Sequence, residues 1–246
     1  MITSKKYIQT VFSTLIIGLL SHSGFAHTTN EATLFPDIKD SDARFDVILL
    51  VGIGIIPETE SFKPDSRLSR IELGAWGALA NKLVTPKPGQ VPDITALAIS
   101  AVENGVIDHL NGNASYATIN QVLFNGVLQL DSPVTMPTRA QAAEFIVANL
   151  QTDRGGDTLL SSLDMELGPV GKVINVEAKM NPDGGETVYL GIGETSYAVY
   201  SHGKVANGPV DLKQWKGKNV RRSIVQNLGQ FKLWIFLEAG EAGHHE

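Results

Sequence analysis

Ser69-Arg70-Ile71-Glu72 is matched in kind twice more before residue 150, by Thr118-Ile119-Asn120-Gln121 and by Thr138-Arg139-Ala140-Gln141. Each has the form Ser/Thr-x-x-Glu/Gln of a capping box. In such a box the hydroxyl accepts from the third helical N–H and the acid or amide reaches back to the cap. Each stands a similar distance behind a Gly-apolar-apolar stop, Gly54-Ile55-Ile56, Gly105-Val106-Ile107 and Gly126-Val127-Leu128. A helix closed on glycine, a short loop and a boxed helix start therefore recur as one unit. Units this small bury their apolar faces only by sharing a core, which predicts a cluster of short helices.

Working outward, Leu68, Ile71, Ala75, Leu79 and Leu83 recur at three- and four-residue spacing, as do Ala143, Ile146, Val147 and Leu150. Each set predicts one apolar stripe on a helix. Thr85-Pro86-Lys87-Pro88-Gly89 separates the first unit from the second, because two prolines cannot continue a helix. Helical patterning ends near Leu150, and residues 151–157, with Gly155-Gly156, are expected to be a linker.

Beyond it the period becomes two. Ile174, Val176, Ala178 and Met180 alternate with Val173, Asn175, Glu177 and Lys179 up to the turn Asn181-Pro182-Asp183-Gly184-Gly185. Further strands are expected at 187–191, 196–200, 219–226 and 231–237, with Pro209–Lys216 irregular or briefly helical. Five strands with an insert after the third predict a small closed barrel of the oligonucleotide/oligosaccharide-binding (OB) type over 158–240. The fold class is thus α+β, helical repeats followed by a small all-β, five-stranded, OB-like barrel.

Arg70 and Arg139 open their helices, where a cation opposes the helix dipole at a cost of about 0.3–1 kcal/mol. A guanidinium beside free helix N–H groups suits an anion such as a carboxylate or phosphate. The other reading pairs each arginine with an acid of its own chain, Asp37, Asp42 or Glu144. The middle box carries Ile119 at that place and should hold no anion this way.

Phe35-Pro36-Asp37-Ile38, Ala43, Ile48, Gly54-Ile55-Ile56, Phe62-Lys63-Pro64 and Ser69-Arg70-Ile71-Glu72 together resemble an S-layer homology domain. The resemblance runs from Phe35 to about Leu150 and is strongest in the first unit. The second keeps Pro92-Asp93-Ile94, Ala101-Val102 and Asn104-Gly105-Val106-Ile107; the third keeps its stop and Thr138-Arg139-Ala140-Gln141. The Trp-Ala pair usual at the first helix is absent, with Ala43-Arg44 in its region. The resemblance implies noncovalent attachment to anionic cell-wall polysaccharide or peptidoglycan, with the box arginine on an acidic group, often a pyruvylated sugar. It makes Arg70 and Arg139 the ligand candidates, within boxes formed by Ser69, Thr138, Glu72 and Gln141. Asp37 and Asp93 become helix-organising residues of the same ligand-binding site.

Lys5-Lys6, an apolar run over 7–20 and small residues at Gly24 and Ala26 form a secretory signal, with cleavage expected after Ala26. Residues 27–34 are expected to be a loose mature N-terminus and 241–246 a flexible tail. After cleavage no transmembrane segment is expected. The formal net charge of −6 becomes more negative once two lysines leave, which argues against nucleic acid as a partner. Without cysteine, disulfides and thiolate catalysis are excluded, which suits an envelope compartment.

Lys204, Lys213, Lys216, Lys218, Arg221, Arg222 and Lys232 form either a basic face or a solvated strand surface, and Trp215 and Trp234 either stack on sugars or pack in the core. Gly191-x-Gly193 follows no phosphate-binding pattern, and His109 and His202 read as loop residues. No nucleophile or metalloprotease motif is present, so no enzyme, resident metal or cofactor is expected. The expectation is an exported, non-catalytic envelope protein bound to wall glycan. The alternatives are an assembly subunit that contacts other envelope proteins and, more weakly, a periplasmic copper binder using a mature N-terminal His27.

Overall fold

The computed structural model describes residues 28–85, 91–182, 184–228 and 231–240. It is a mixed α+β structure: six α-helices, then a six-stranded, mostly antiparallel sheet. The signal segment, His27, the Pro86-Lys87-Pro88 break, Asp183 and the terminal tail lie outside the described residues.

The helices are α1 (Glu31–Leu34), α2 (Arg44–Gly52), α3 (Arg70–Ala80), α4 (Ile94–Glu103), α5 (Tyr116–Phe124) and α6 (Arg139–Ala148). Two boxes form as expected: Ser69 Oγ and Thr138 Oγ1 each accept from the third helical N–H, while Glu72 and Gln141 reach back to the caps. The middle box is displaced. The cap of α5 is Ser115 and its third residue is Thr118, so Thr118 lies inside the helix rather than before it. Thr118 can serve there because its own hydroxyl accepts from the Ser115 N–H. Asn120 and Gln121, read as box residues, lie further along α5. Asn120 instead exchanges hydrogen bonds with the Leu128 backbone, fixing the turn that follows.

The three segments that lead into α3, α5 and α6 bond to one another in a ring. Arg70 N–H donates to Gly112 O (3.0 Å), Tyr116 N–H to Thr135 O (3.0 Å) and Arg139 N–H to Ser66 O (2.9 Å). An inner set runs the other way, from Ala114 N–H to Leu68 O (2.8 Å) and from Leu68 N–H to Pro137 O (3.2 Å). Its third member would need an N–H at Pro137, which proline lacks. Residues 69, 115 and 138 are therefore equivalent caps, and the first helical residues are Arg70, Tyr116 and Arg139.

α3 is buried on every side from Leu73 to Ala80, so the single stripe read from its sequence is too narrow. A helix apolar all round belongs in the middle of a core, and Ile71, counted in that stripe, is exposed at 40 %. Glycines let neighbours approach it: a Cβ on Gly74 would lie 3.3 Å from Ala98 Cβ of α4. α2 is likewise buried over Val47–Val51, between α6 and the sheet.

The strands are β1 (Met165–Leu167), β2 (Gly171–Met180), β3 (Glu186–Ile192), β4 (Thr195–Ala206), β5 (Asn219–Leu228) and β6 (Phe231–Gly240). Their order is β1-β5-β2-β3-β4-β6, and β5 also pairs along β6. All ladders are antiparallel except β4 with β6. Two features depart from a five-stranded closed barrel. A sixth strand, β1, is added against β5, and β2 meets β5 over only Gly171↔Val220 and Lys172↔Asn219, with Val173 bonded on to Lys218 and Gly217, so that the seam is open beyond Val173 and the sheet does not close. The expected insert after the third long strand is a 3₁₀ turn, Leu212–Trp215. It drives Trp215 into the sheet's own core, fully buried, with Nε1 donating to Pro209 O at 2.9 Å. Gly208 makes room, since a Cβ there would lie 2.6 Å from the indole.

The two halves are not strung on a free linker. Ala206, Ile224 and Phe236 of the sheet belong to the same apolar core as the helices. Within residues 151–157, Arg154 is buried, donating to Leu123 O (2.8 Å) and pairing with Asp157 (3.0 Å), while Asp153 caps the Gly155 and Gly156 amides. The N-terminal stretch is also tied down. Thr29 pairs with Lys204 of β4, Val205 N–H donates to Thr29 O (2.9 Å), and the Glu31 carboxylate accepts from Asn207 N–H (3.1 Å). Composition suggested a loose end there because polar residues dominate; backbone pairing with a strand does not depend on side-chain polarity.

Candidate functional site

The ring of caps places the first residue of one helix over the groove of the next unit. Arg70 reaches across to the stop loop Gly105–His109 and to α5. Its Nε donates to His109 O at 2.9 Å, its Nη1 to Thr118 Oγ1 at 3.2 Å, and its Nη2 pairs with Asp108. These contacts take three of the five guanidinium donors. The groove has a volume of about 650 Å³, with Val106, Ile107, Gln121 and Val122 completing its walls.

Arg139 makes the equivalent reach into the first unit. Its Nη1 donates to Phe62 O and its Nη2 pairs with Glu72, while Nε is buried without a partner among the described residues. Here the cavity is only about 70 Å³, lined by Ile56, Pro57, Phe62, Trp76 and Ile94. Burial pulls the Arg139 guanidinium below its usual range, and the Asp37 carboxylate pushes back. The third position of the ring is aromatic: Tyr116 packs on Phe145 with centroids 5.0 Å apart. Burial, with Glu144 nearby, raises its phenol.

Both arginines are thus ion-paired within the chain, to Asp108 and Glu72, while of the expected acids Asp37 acts on Arg139 only through its field. Glu72 comes from the box of the neighbouring helix; Asp108 comes from the stop loop. Asp108 was missed in the sequence because the box was read at 118–121, which drew attention away from the acid behind Gly105-Val106-Ile107. The two pairs differ in exposure. The Glu72 side chain is 19 % exposed and that of Asp108 74 %, whereas the arginines are alike at 17 % and 12 %. Desolvation acts to raise the Asp108 carboxyl, but the His109 amide and the Arg70 guanidinium outweigh it and hold the group below its ordinary range.

The remaining site residues serve the backbone. Ser69 and Thr138 are caps, and Glu72 and Gln141 close their boxes. Asp93 caps α4 through Thr95 and Ala96 N–H. Asp37 accepts from Phe62 (3.0 Å) and Lys63 (2.6 Å) N–H, so it organises a loop rather than a helix, at a point where Lys63 has φ +56°. Asp37 and Asp93 do not converge with Arg70.

In the sheet, the basic run is largely paired: Lys204 with Glu58 (2.6 Å), Lys213 with Glu186 (3.1 Å), and Arg221 and Arg222 with Glu238 (3.2 and 2.9 Å). Trp215 is core and offers no face to a sugar; the side chains of Lys232 and Trp234 lie outside the described ones. His109 is in a loop, but His202 is in β4. Among the described residues no cluster of three His, Cys, Asp or Glu could hold a metal, and no helix is long and apolar enough to cross a membrane. No family model, curated protein or solved structure matches the chain.

Proposed function

We propose that this chain is an exported, non-catalytic envelope protein that attaches noncovalently to acidic cell-wall glycan through the Arg70 groove alone. The carrying observation is the contrast between the two arginine sites. Arg70 lines a groove of about 650 Å³, large enough for a sugar, and its acid partner is solvent-exposed. Arg139 is closed in by Phe62 and Glu72 beside about 70 Å³, too little for one. A two-arginine mechanism therefore reduces to one site, and Arg139 ties the third boxed helix to the first.

Two further features support the reading. The cyclic bonding of caps Ser69, Ser115 and Thr138 suits three S-layer-homology-like units around one axis, the third reduced to its boxed helix. The pairing of β2 with β3, β3 with β4, β4 with β6 in parallel, and β5 with both β6 and β2 supports an OB-like strand order carried by an open sheet with an added strand. The apolar run at 7–20 and its small-residue end support export.

The test is retention of the exported chain on purified wall sacculi. Wild type should co-sediment, and Arg70→Ala should be lost from the pellet while its circular dichroism is unchanged. Equal retention of Arg70→Ala would reject the groove as the attachment site. Retention that depends on envelope proteins in the preparation would favour assembly instead.

A further inference from the structure

Taking the attachment reading as given, we infer that Asp108 is an internal competitor for the Arg70 site, a carboxylate of the chain itself standing where the ligand's acid group binds. The two grooves occupy equivalent places in the ring. Arg70 meets Thr118 where Arg139 meets Glu72, because residues 72 and 118 both hold the third position of their helices. Counting from the stop glycines Gly54 and Gly105, Asp108 falls where the first unit has Pro57. The charge that neutralises the guanidinium has therefore moved from a helix, where it is fixed by its box, to a loop, where it is not.

That relocation changes what the acid can do. Glu72 is held by Ser69 N–H at 3.0 Å and Ser69 Oγ at 2.8 Å as well as by Arg139, and it cannot leave without opening the cap of α3. Beyond Arg70, the Asp108 carboxylate is held by its own amide and by its neighbour His109: the amide at 3.0 Å and, as an ion pair when the ring is protonated, Nε2 at 3.8 Å. Its side chain lies mostly in water. Swinging Asp108 aside therefore disturbs no cap and no core, and it uncovers the end of Arg70 that faces the cavity. Nε and Nη1 stay anchored by His109 O and Thr118, so the guanidinium keeps its place and offers the freed Nη2 to an incoming acid. A carboxylate-bearing sugar would enter by exchange, one acid for another, with no net charge left in the groove.

The experiment measures NMR titration of the exported chain with N-acetylmuramic acid, whose lactyl group supplies the carboxylate. N-acetylglucosamine, the same ring without it, is the control. Asp108→Asn keeps the shape and an acceptor for the His109 amide but removes the competing charge. It should bind the acidic sugar roughly three- to fivefold more tightly than wild type, the factor expected for an exposed ion pair. N-acetylglucosamine should be unaffected. Equal affinity in wild type and Asp108→Asn, or no binding by either, overturns the competitor role. Sacculus retention lost in Arg70→Ala but unchanged in Asp108→Asn sinks this inference alone, whereas retention independent of Arg70 sinks the attachment reading beneath it.

Discussion

Arg222 of β5 reaches out of the sheet to Asp46 of α2, Nη2 to Oδ1 at 3.1 Å, joining the helical half to the strands by charge as well as by core. The same side chain donates through Nε to Glu238 of β6, which is fully buried. Removing it leaves Glu238 with Arg221, whose own side chain is 61 % exposed. Breaking a buried pair from one side costs about 3–5 kcal/mol, chiefly because the remaining charge is stranded. Arg222→Met should therefore lower the urea-unfolding free energy by about 3 kcal/mol. Since helices and sheet share one apolar core, the loss should appear in a single transition rather than in one half. A change under about 1 kcal/mol would place the seam's stability in apolar contacts alone.

The other end of that bridge gives a pH dependence. Burial pushes the Asp46 carboxyl above its ordinary value of 3.8, Glu238 adds to the rise, and the Arg222 guanidinium does not cancel them. The folded protein then holds this proton more tightly than the unfolded chain. Its contribution to stability is full below the unfolded value and is lost as pH rises through the raised folded one. Asp46→Asn lacks this titration. The unfolding free energy of wild type minus that of the variant should fall as pH climbs from below the unfolded carboxyl value through the raised folded one, followed by urea titration at each pH. A difference that stays flat or rises would mean the ion pair, not desolvation, governs Asp46.

How far the sequence revealed this structure depends on how local each signal was. The boxes at Ser69 and Thr138 were legible because cap, third residue and reach-back lie within four positions. The box at Ser115 was not, because Ser115 and Thr118 both carry hydroxyls and Gln121 completed the wrong one of two overlapping patterns. Strand alternation located five strands, while three-residue β1 is too short to show a period. The partners of Arg70 and Arg139 were invisible for a different reason. They lie 38 and 67 positions away in sequence, brought close by a ring of backbone bonds no spacing rule encodes.

The displaced box can be tested directly. If Ser115 caps α5, Ser115→Ala removes the acceptor for Thr118 N–H and should cost about 1 kcal/mol, as Ser69→Ala and Thr138→Ala should at their own caps. Gln121→Ala, at the end of the box that the sequence pattern places at 118–121, should change stability by less than about 0.5 kcal/mol. Thermal unfolding of the four variants side by side gives the comparison. A larger loss in Gln121→Ala than in Ser115→Ala would place the cap at Thr118 instead.

Gly77 sets two known effects against each other. It lies mid-helix in α3, where alanine would be favoured by about 1 kcal/mol. A Cβ there would stand 2.6 Å from Val122 Cγ1 of α5 and 3.0 Å from Val106 Cγ1, closer than side chains in a packed core allow. Overpacking costs about 1–3 kcal/mol, so Gly77→Ala should destabilise by up to about 2 kcal/mol after the helix gain is subtracted. The cause can be separated from a general intolerance of change in α3. Val122→Ala alone opens a small cavity and is destabilising, yet it removes the nearer clashing methyl. The double variant should therefore be more stable than the two single losses predict, by about 1 kcal/mol. Strict additivity would mean that α3 and α5 shift apart to admit the new methyl and that Gly77 does not fix their separation.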